Sequence, residues 1–291
     1  MDRTVDVSRP PSRAAARPPG RGRGARRLRA LRAVRALARA ARALGHLVVP
    51  VECPGCATPD VRLCPWCRAC LGGIARCEDG APRLDRSDRP HPVPVWCTAP
   101  YAGCVREVVL AWKDRGRADL TRELAPFLRD AGRAAAAAVT GAPGRRSREV
   151  LVVPAPSSGR ATRARGRTPV DELARAVAQG LRDGLRDAGA PPRVRVVRAL
   201  RQRRAAGDQV GLGGRARGGN KAGTVALRRR ARLGDEPRPV CLLVDDVLTT
   251  GATLSACEAA LSGAGARVVG AVVLAATPPP SRAVRSDGGP G

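Results

Sequence analysis

Residues Leu242 to Thr253 read LLVDDVLTTGAT, and they gather the side chains that hold a sugar phosphate. The apolar run Val240 to Val244 has the pattern of a buried strand. It ends in two adjacent carboxylates, Asp245 and Asp246. A hydroxyl-rich turn follows, Thr249-Thr250-Gly251-Ala252-Thr253. An alanine-rich helical pattern then runs from about Thr253 to Leu261, and Gly263 and Gly265 stop it. Strand, acidic pair, tight turn and helix N-terminus is the layout of a phosphate site in an open α/β sheet. Free N–H groups at the turn and helix start hold the phosphate, and the hydroxyls of Thr249, Thr250 and Thr253 add bonds. The carboxylates stand about one sugar away, in reach of ribose hydroxyls or an associated magnesium ion. Adjacent carboxylates repel unless something cationic is near, which argues against an accidental pair. There is no Gly-Lys-Ser/Thr loop and no three-glycine dinucleotide fingerprint.

A second constellation is built from cysteine. Ten are present, eight of them between positions 53 and 104. Cys53 and Cys56 form one CxxC pair, and Cys64 and Cys67 form another. Each pair makes a knuckle with its thiolates aimed at one point, and two knuckles complete a tetrahedral S4 shell for structural zinc. Pro54-Gly55 and Pro65-Trp66 fill the knuckles, as tight turns require. Cys70 and Cys77 lie near enough to replace a ligand. A disulfide framework needs an oxidising compartment, and nothing in the sequence directs the chain to one.

The elements that must position these residues alternate in type. Val95 to Ala99 and Val105 to Leu110 open the larger domain, and residues 112–117 form a polar turn. A helix is expected from Asp119 to about Val139, kinked at Pro126. Glu149 to Val153 is a strand ended by Pro154-Ala155-Pro156. The loop Ser157 to Arg167 carries Arg160, Arg163, Arg165 and Arg167, a density suited to clamping a pyrophosphate. A helix starts near Thr168-Pro169, with Asp171 and Glu172 in its first turn. Val194 to Leu200, Thr224 to Leu227, Val240 to Val244 and Arg267 to Ala275 supply further strands. Residues 201–223 are rich in Gly and Arg and suit a mobile loop over a site. The alternation predicts an α/β fold, a mainly parallel sheet with helices on both faces, plus a small Cys-rich zinc module. The expected organisation is a basic, partly disordered arm (1–45) and the zinc module (46–80). A larger domain (95–280) and a disordered tail (281–291) follow. Residues 78–94 form the linker, and Arg26 to Leu44 carry one amphipathic helical stripe.

The formal net charge is +28, and every cation except Lys113 and Lys221 is Arg. Residues 1–45 alone hold thirteen Arg against Asp2 and Asp6. A basic surface of this kind fits a polyanionic partner. The five aromatics, Trp66, Trp96, Trp112, Tyr101 and Phe127, are too few for a base-stacking platform, so contact with nucleic acid would fall on phosphate. No apolar run reaches the length of a membrane span, and the basic N-terminal region is not followed by an apolar stretch. The expected location is the cytoplasm.

The stretch 242–253 resembles the phosphoribosyl-pyrophosphate (PRPP) motif of type I phosphoribosyltransferases: an apolar strand, two acids, two apolar residues and a Thr/Ser-Gly-x-Thr loop. With the two CxxC pairs and an Arg-rich loop after Val153-Pro154-Ala155-Pro156, the order resembles the ComF/GntX family. These are competence-associated, phosphoribosyltransferase-like proteins, and the likeness covers about residues 46–280. Arg160, Arg163, Arg165-Gly166, Gln209 to Leu212, Arg215, Asn220 and Gly223 carry it further. Where the family has Phe-Asn-Gln, this chain has Arg167-Thr168-Pro169. The resemblance implies a type I phosphoribosyltransferase-like fold that binds PRPP with magnesium. It assigns Asp245 and Asp246 to the ribose hydroxyls as catalytic residues. Thr249, Thr250, Gly251, Ala252 and Thr253 take the 5′-phosphate, and Arg160, Arg163, Arg165 and Arg215 take the pyrophosphate.

Three functions fit these residues. The first is an enzyme that transfers the phosphoribosyl group to a nitrogenous acceptor. The second is a non-catalytic interaction protein of DNA uptake, with single-stranded DNA or uptake proteins as partners. The third is a PRPP-sensing regulator. A DNA role predicts that affinity for single-stranded DNA falls steeply as salt rises, since phosphate neutralisation releases counterions. A flat titration between low and physiological salt would remove it.

Overall fold

The protein is described by a computed structural model over residues 51–84, 92–141, 149–157, 162–163, 165–189, 193–203, 225–229, 231–234, 236 and 238–278. The arm 1–45 with its helical stripe, the tail 281–291, most of segment 201–223, Arg160 and Arg215 lie outside these residues.

Six strands share one sheet. They are β1 (Ala75–Arg76), β2 (Val95–Cys97), β3 (Glu149–Pro154), β4 (Arg193–Val196), β7 (Val240–Leu248) and β8 (Arg267–Ala276), in the order β1-β2-β8-β7-β3-β4. Only β1 is antiparallel to its neighbour. A second, two-stranded antiparallel sheet joins β5 (Leu200–Gln202) to β6 (Val225–Leu227). The helices are α1 (Pro65–Ala69), α2 (Gly103–Lys113), α3 (Thr121–Ala134), α4 (Ala136–Thr140), α5 (Pro169–Asp187) and α6 (Ala252–Ser262).

The central strands are apolar at nearly every position because both faces of the sheet are covered. Val150, Val152, Leu242, Val244 and Val272 face a core completed by α2, α3, α4 and α5, and Cys53, Cys64, Cys67 and Leu71 belong to this same core. Leu151, Val153, Cys241, Leu243 and Val273 face the opposite core, completed by α6 and the small sheet. Helix α5 follows its sequence cues: Pro169 opens it, Asp171 and Glu172 occupy the first turn, and Leu173, Val177, Leu181 and Leu185 form its buried stripe.

The two crossovers decide where a ligand fits. Strands β3 and β7 are parallel neighbours, with Pro154 opposite Val244. Helix α5 carries the chain from β3 outward to β4, and α6 carries it from β7 outward to β8 in the other direction. Right-handed crossovers that depart in opposite directions put their helices on opposite faces. The connections therefore diverge above the carboxyl ends of β3 and β7, and a crevice opens there.

Several elements depart from the sequence reading. The helix expected over 119–139 is broken at Ala135 and not at Pro126, and a 3-10 turn, Ala118–Leu120, precedes it. Pro126 lacks an N–H and cannot donate to the Arg122 carbonyl, yet α3 continues through it to Ala134. The strand expected over 194–200 is two strands in different sheets, β4 and β5. Strand β7 does not stop before the acidic pair; it runs through it to Leu248, paired to β8 on both sides of a register shift between Cys241 and Leu242. Segment 78–84, read as linker, forms two 3-10 turns, Glu78–Gly80 and Pro82–Leu84; Ala81 between them and Leu84 are buried.

Helices α3 and α5 meet backbone to backbone. A Cβ built on Gly180 would lie 1.8 Å from the Arg129 carbonyl oxygen, and one on Gly132 would lie 2.3 Å from that of Val177. Gly180→Ala must push the helices apart and loosen the core behind β3. It is expected to cost about 1–3 kcal/mol, read as a lower urea midpoint at unchanged slope. An unchanged midpoint would contradict this packing.

Candidate functional site

The crevice above β3 and β7 holds a cavity of about 210 Å³. Lys113, Ser157, Arg165, Gln202, Asp245 and Asp246 contribute its polar lining, and Thr253 reaches it from α6. Asp245 and Asp246 are both buried, at 8% and 5% exposure. The period of two sends them to opposite faces of the sheet. Asp246 turns toward α2, where its Oδ2 lies 2.6 Å from the ammonium of Lys113. Asp245 turns toward α6, close enough that its charge adds to burial in pushing the Cys257 thiol up. The Asp246 N–H donates to Asp245 Oδ1 at 2.8 Å.

The turn after the strand is shaped for close approach. Gly251 has φ of 78°, a left-handed conformation that favours glycine. A Cβ there would also lie 2.8 Å from Leu84 Cγ. The Arg83 N–H donates to the Thr250 carbonyl at 3.1 Å, so segment 78–84 buttresses the turn from behind. No side chain caps the start of α6, which leaves its first N–H groups directed at the hollow formed by Thr249 to Leu254.

Lys113 is the last residue of α2. Burial pulls its pKa down, and the carboxylate of Asp246, with Asp245 and Asp114 beyond it, more than offsets that, so the ammonium is held above the usual lysine range. The adjoining residues tie this helix end to the arginine loop. Asp114 Oδ1 pairs with Arg165 at 3.1 Å. Arg167 donates to the Trp112 carbonyl at 3.0 Å, and its guanidinium stacks on the Trp112 ring at 5.3 Å. The Trp112 indole N–H donates to Thr121 Oγ1 at 3.0 Å, and the Thr121 hydroxyl to Glu172 at 2.6 Å.

Of the residues singled out from the sequence, Asp245, Asp246, Thr253 and Arg165 line the cavity, and Thr249, Thr250, Gly251 and Ala252 form the adjoining turn. Arg163 is exposed and is not part of the lining. Arg160 and Arg215 lie outside the described residues. Sequence reasoning missed Lys113, Ser157 and Gln202. Gln202 crosses from the small sheet to donate to the Pro156 carbonyl at 3.2 Å. The one signal for Lys113 was its type, a lysine in a chain whose cations are nearly all arginine.

The cysteine pairs converge as their spacing requires. The Sγ atoms of Cys53, Cys56, Cys64 and Cys67 all lie within 4.8 Å of one another. A tetrahedral zinc–thiolate shell sets its sulfurs roughly 3.8 Å apart, so the four fit a metal ion such as zinc. Backbone N–H groups already point inward: Cys64 N–H to Cys53 Sγ at 3.4 Å and Cys67 N–H to Cys64 Sγ at 3.3 Å. Burial pushes the Cys67 thiol up, while a hydrogen bond with the Thr58 hydroxyl lowers Cys56 to about 6. Gly55 lets the knuckles close, since a Cβ there would lie 2.7 Å from Cys67 Sγ. Cys70 is outside this group, its thiol directed at Cys104. Cys77 faces Cys97. No helix among the described residues is long and apolar enough to cross a membrane.

No protein-family profile matches the chain, and no curated protein matches it.

Metal analysis of the purified protein should give about one zinc per chain. Cys53→Ser should abolish it and expose the core shared with Leu71, read as a lowered melting temperature. Full zinc content in Cys53→Ser would reject the S4 assignment.

Proposed function

We propose that the cavity above β3 and β7 binds PRPP with magnesium, or a sugar phosphate of the same shape, on a type I phosphoribosyltransferase-like fold of the ComF/GntX kind. The observation that carries this reading is the joining of a buried carboxylate pair to an uncapped helix N-terminus, at the point where the sheet's crossovers diverge. Asp245 and Asp246 accept from the ribose 2- and 3-hydroxyls. The N–H groups and hydroxyls of Thr249 to Thr253 hold the 5′-phosphate. Arg165 turns from Asp114 to the pyrophosphate, and Arg160, Arg163 and Arg215 are proposed to complete that clamp.

The reaction this supports is displacement at the anomeric carbon. A nitrogen lone pair of the acceptor forms the new C–N bond as the C–O bond to pyrophosphate breaks and the pyrophosphate leaves with the electron pair. Positive charge grows on the ring oxygen and anomeric carbon, and the carboxylate pair beneath the ribose stabilises it. Magnesium, when bound with the ligand, neutralises part of the pyrophosphate charge. The described residues around the cavity include no histidine, and its two carboxylates are assigned to the ribose hydroxyls, so the protein's contribution is orientation and electrostatics. Among the described residues the cavity lining has no aromatic side chain, and this favours a second reading in which the ligand is bound and sensed without base recognition or turnover.

Isothermal calorimetry with PRPP and magnesium tests the binding. Wild type should bind, and Asp245→Asn/Asp246→Asn should weaken binding at least about 100-fold, the loss of two charge-assisted bonds. Failure of the folded, zinc-loaded wild type to bind would sink the proposal. Pyrophosphate release with candidate acceptors then separates transferase from sensor.

A further inference from the structure

Lys113 has three N–H donors on a flexible four-carbon stem, and Asp246 occupies one of them at 2.6 Å. Its side chain is 32% exposed and lines the same cavity as Arg165 and Ser157. Its main chain is held from two directions, by Asp114 paired to Arg165 and by the Trp112 carbonyl bound to Arg167. The ammonium thus pairs with the carboxylate of Asp246, while the helix end that carries it is tied to the arginine loop.

We infer that Lys113 is the residue that makes this site select a sugar phosphate bearing an anomeric pyrophosphate over the same sugar phosphate without one. The inference rests on the ligand reading above. In the unliganded protein, Asp246 neutralises the ammonium. Ribose hydroxyls are neutral donors, so they engage Asp246 without displacing Lys113. A pyrophosphate on the adjoining carbon meets the ammonium's remaining donors. One cation then serves the sugar side and the leaving-group side together. Asp246 in turn restrains Lys113: its negative charge competes with the incoming anion for the same ammonium.

That competition distinguishes the role from a structural one, because the two partners respond in opposite directions to inorganic pyrophosphate. With magnesium pyrophosphate as the calorimetric probe, Lys113→Met should weaken binding roughly 10- to 100-fold, the loss of one charge-assisted bond. Asp246→Asn should bind pyrophosphate as tightly as wild type or several-fold more tightly, while losing PRPP affinity. Lys113→Arg should keep most of the affinity that Lys113→Met loses. Ribose 5-phosphate should bind wild type and Lys113→Met within about threefold of each other, since no bond of Lys113 to that ligand is invoked. Lys113→Met removes the cation paired with the buried Asp246 carboxylate, so Lys113→Met/Asp246→Asn is measured beside it; it too should bind pyrophosphate weakly. The inference is overturned if pyrophosphate binds Lys113→Met as it binds wild type. It is equally overturned if PRPP and ribose 5-phosphate weaken in parallel, or if Asp246→Asn weakens pyrophosphate. Wild type that binds PRPP with Lys113→Met unaffected removes this inference alone. Wild type that binds none of the three ligands removes the ligand reading with it.

Discussion

Two carboxylates sit side by side at the carboxyl end of the central strand, both almost fully withdrawn from water. Burying one charge is costly, and burying two of the same sign is more so, unless cations and donors compensate them. The compensation is local. Lys113 pairs with Asp246, and the Asp246 N–H binds Asp245. Lys113 reaches the pair from the last turn of α2, and the arginine loop holds that helix end through Asp114 and Trp112. Helix α2, the loop before α5 and strand β7 are therefore fastened together around one electrostatic requirement. The crevice is what remains between them.

Backbone contacts supply the rigidity behind that fastening. Where α3 and α5 cross at Gly132 and Gly180, no side chain separates them, so α5 has little freedom to slide. The first turn of α5 carries Asp171, whose carboxylate pairs with Arg198 at 2.6 Å at the far edge of the crevice. On the opposite side, Leu84 and Ala81 press on Gly251 and fix the turn that precedes α6. Both helices that flank the crevice are thus positioned by contacts in which a glycine admits a close neighbour. A side chain at Gly132 or Gly180 would move the site without touching its chemistry.

What the sequence made legible was whatever is encoded locally. The strand–acid–turn–helix order of 240–262 is contiguous, so its parts are read together and are found together. The CxxC pairs are likewise local, and four thiols converge. Lys113 and Gln202 were not legible, because each arrives from a separate element and only the fold brings them to Asp246 and Pro156. Segment 78–84 was misread for a related reason. Its Pro, Arg and Asp content signals a linker, and its two buried side chains find their partners some 170 residues later in the chain, at Gly251. Strand β7 was read short because charged residues ordinarily end a buried strand; here the pairing with β8 carries the backbone on to Leu248.

The arginine content acquires a second meaning from these contacts. A net charge of +28 reads at first as a surface for polyanions. Much of the cationic charge in the described residues has internal employment instead. Arg117 pairs with Asp119, Arg195 with Glu149 and Arg198 with Asp171, while Arg182 and Arg228 donate to the carbonyls of Val194 and Leu200. A planar guanidinium suits such fixed, multi-bond roles. The carboxylate pair sets a different demand, for a compact charge whose donors reorient as partners come and go. An ammonium on a flexible stem meets that demand with less rearrangement than a planar fork, which is a physical reason for lysine at position 113 in a chain that elsewhere uses arginine almost throughout.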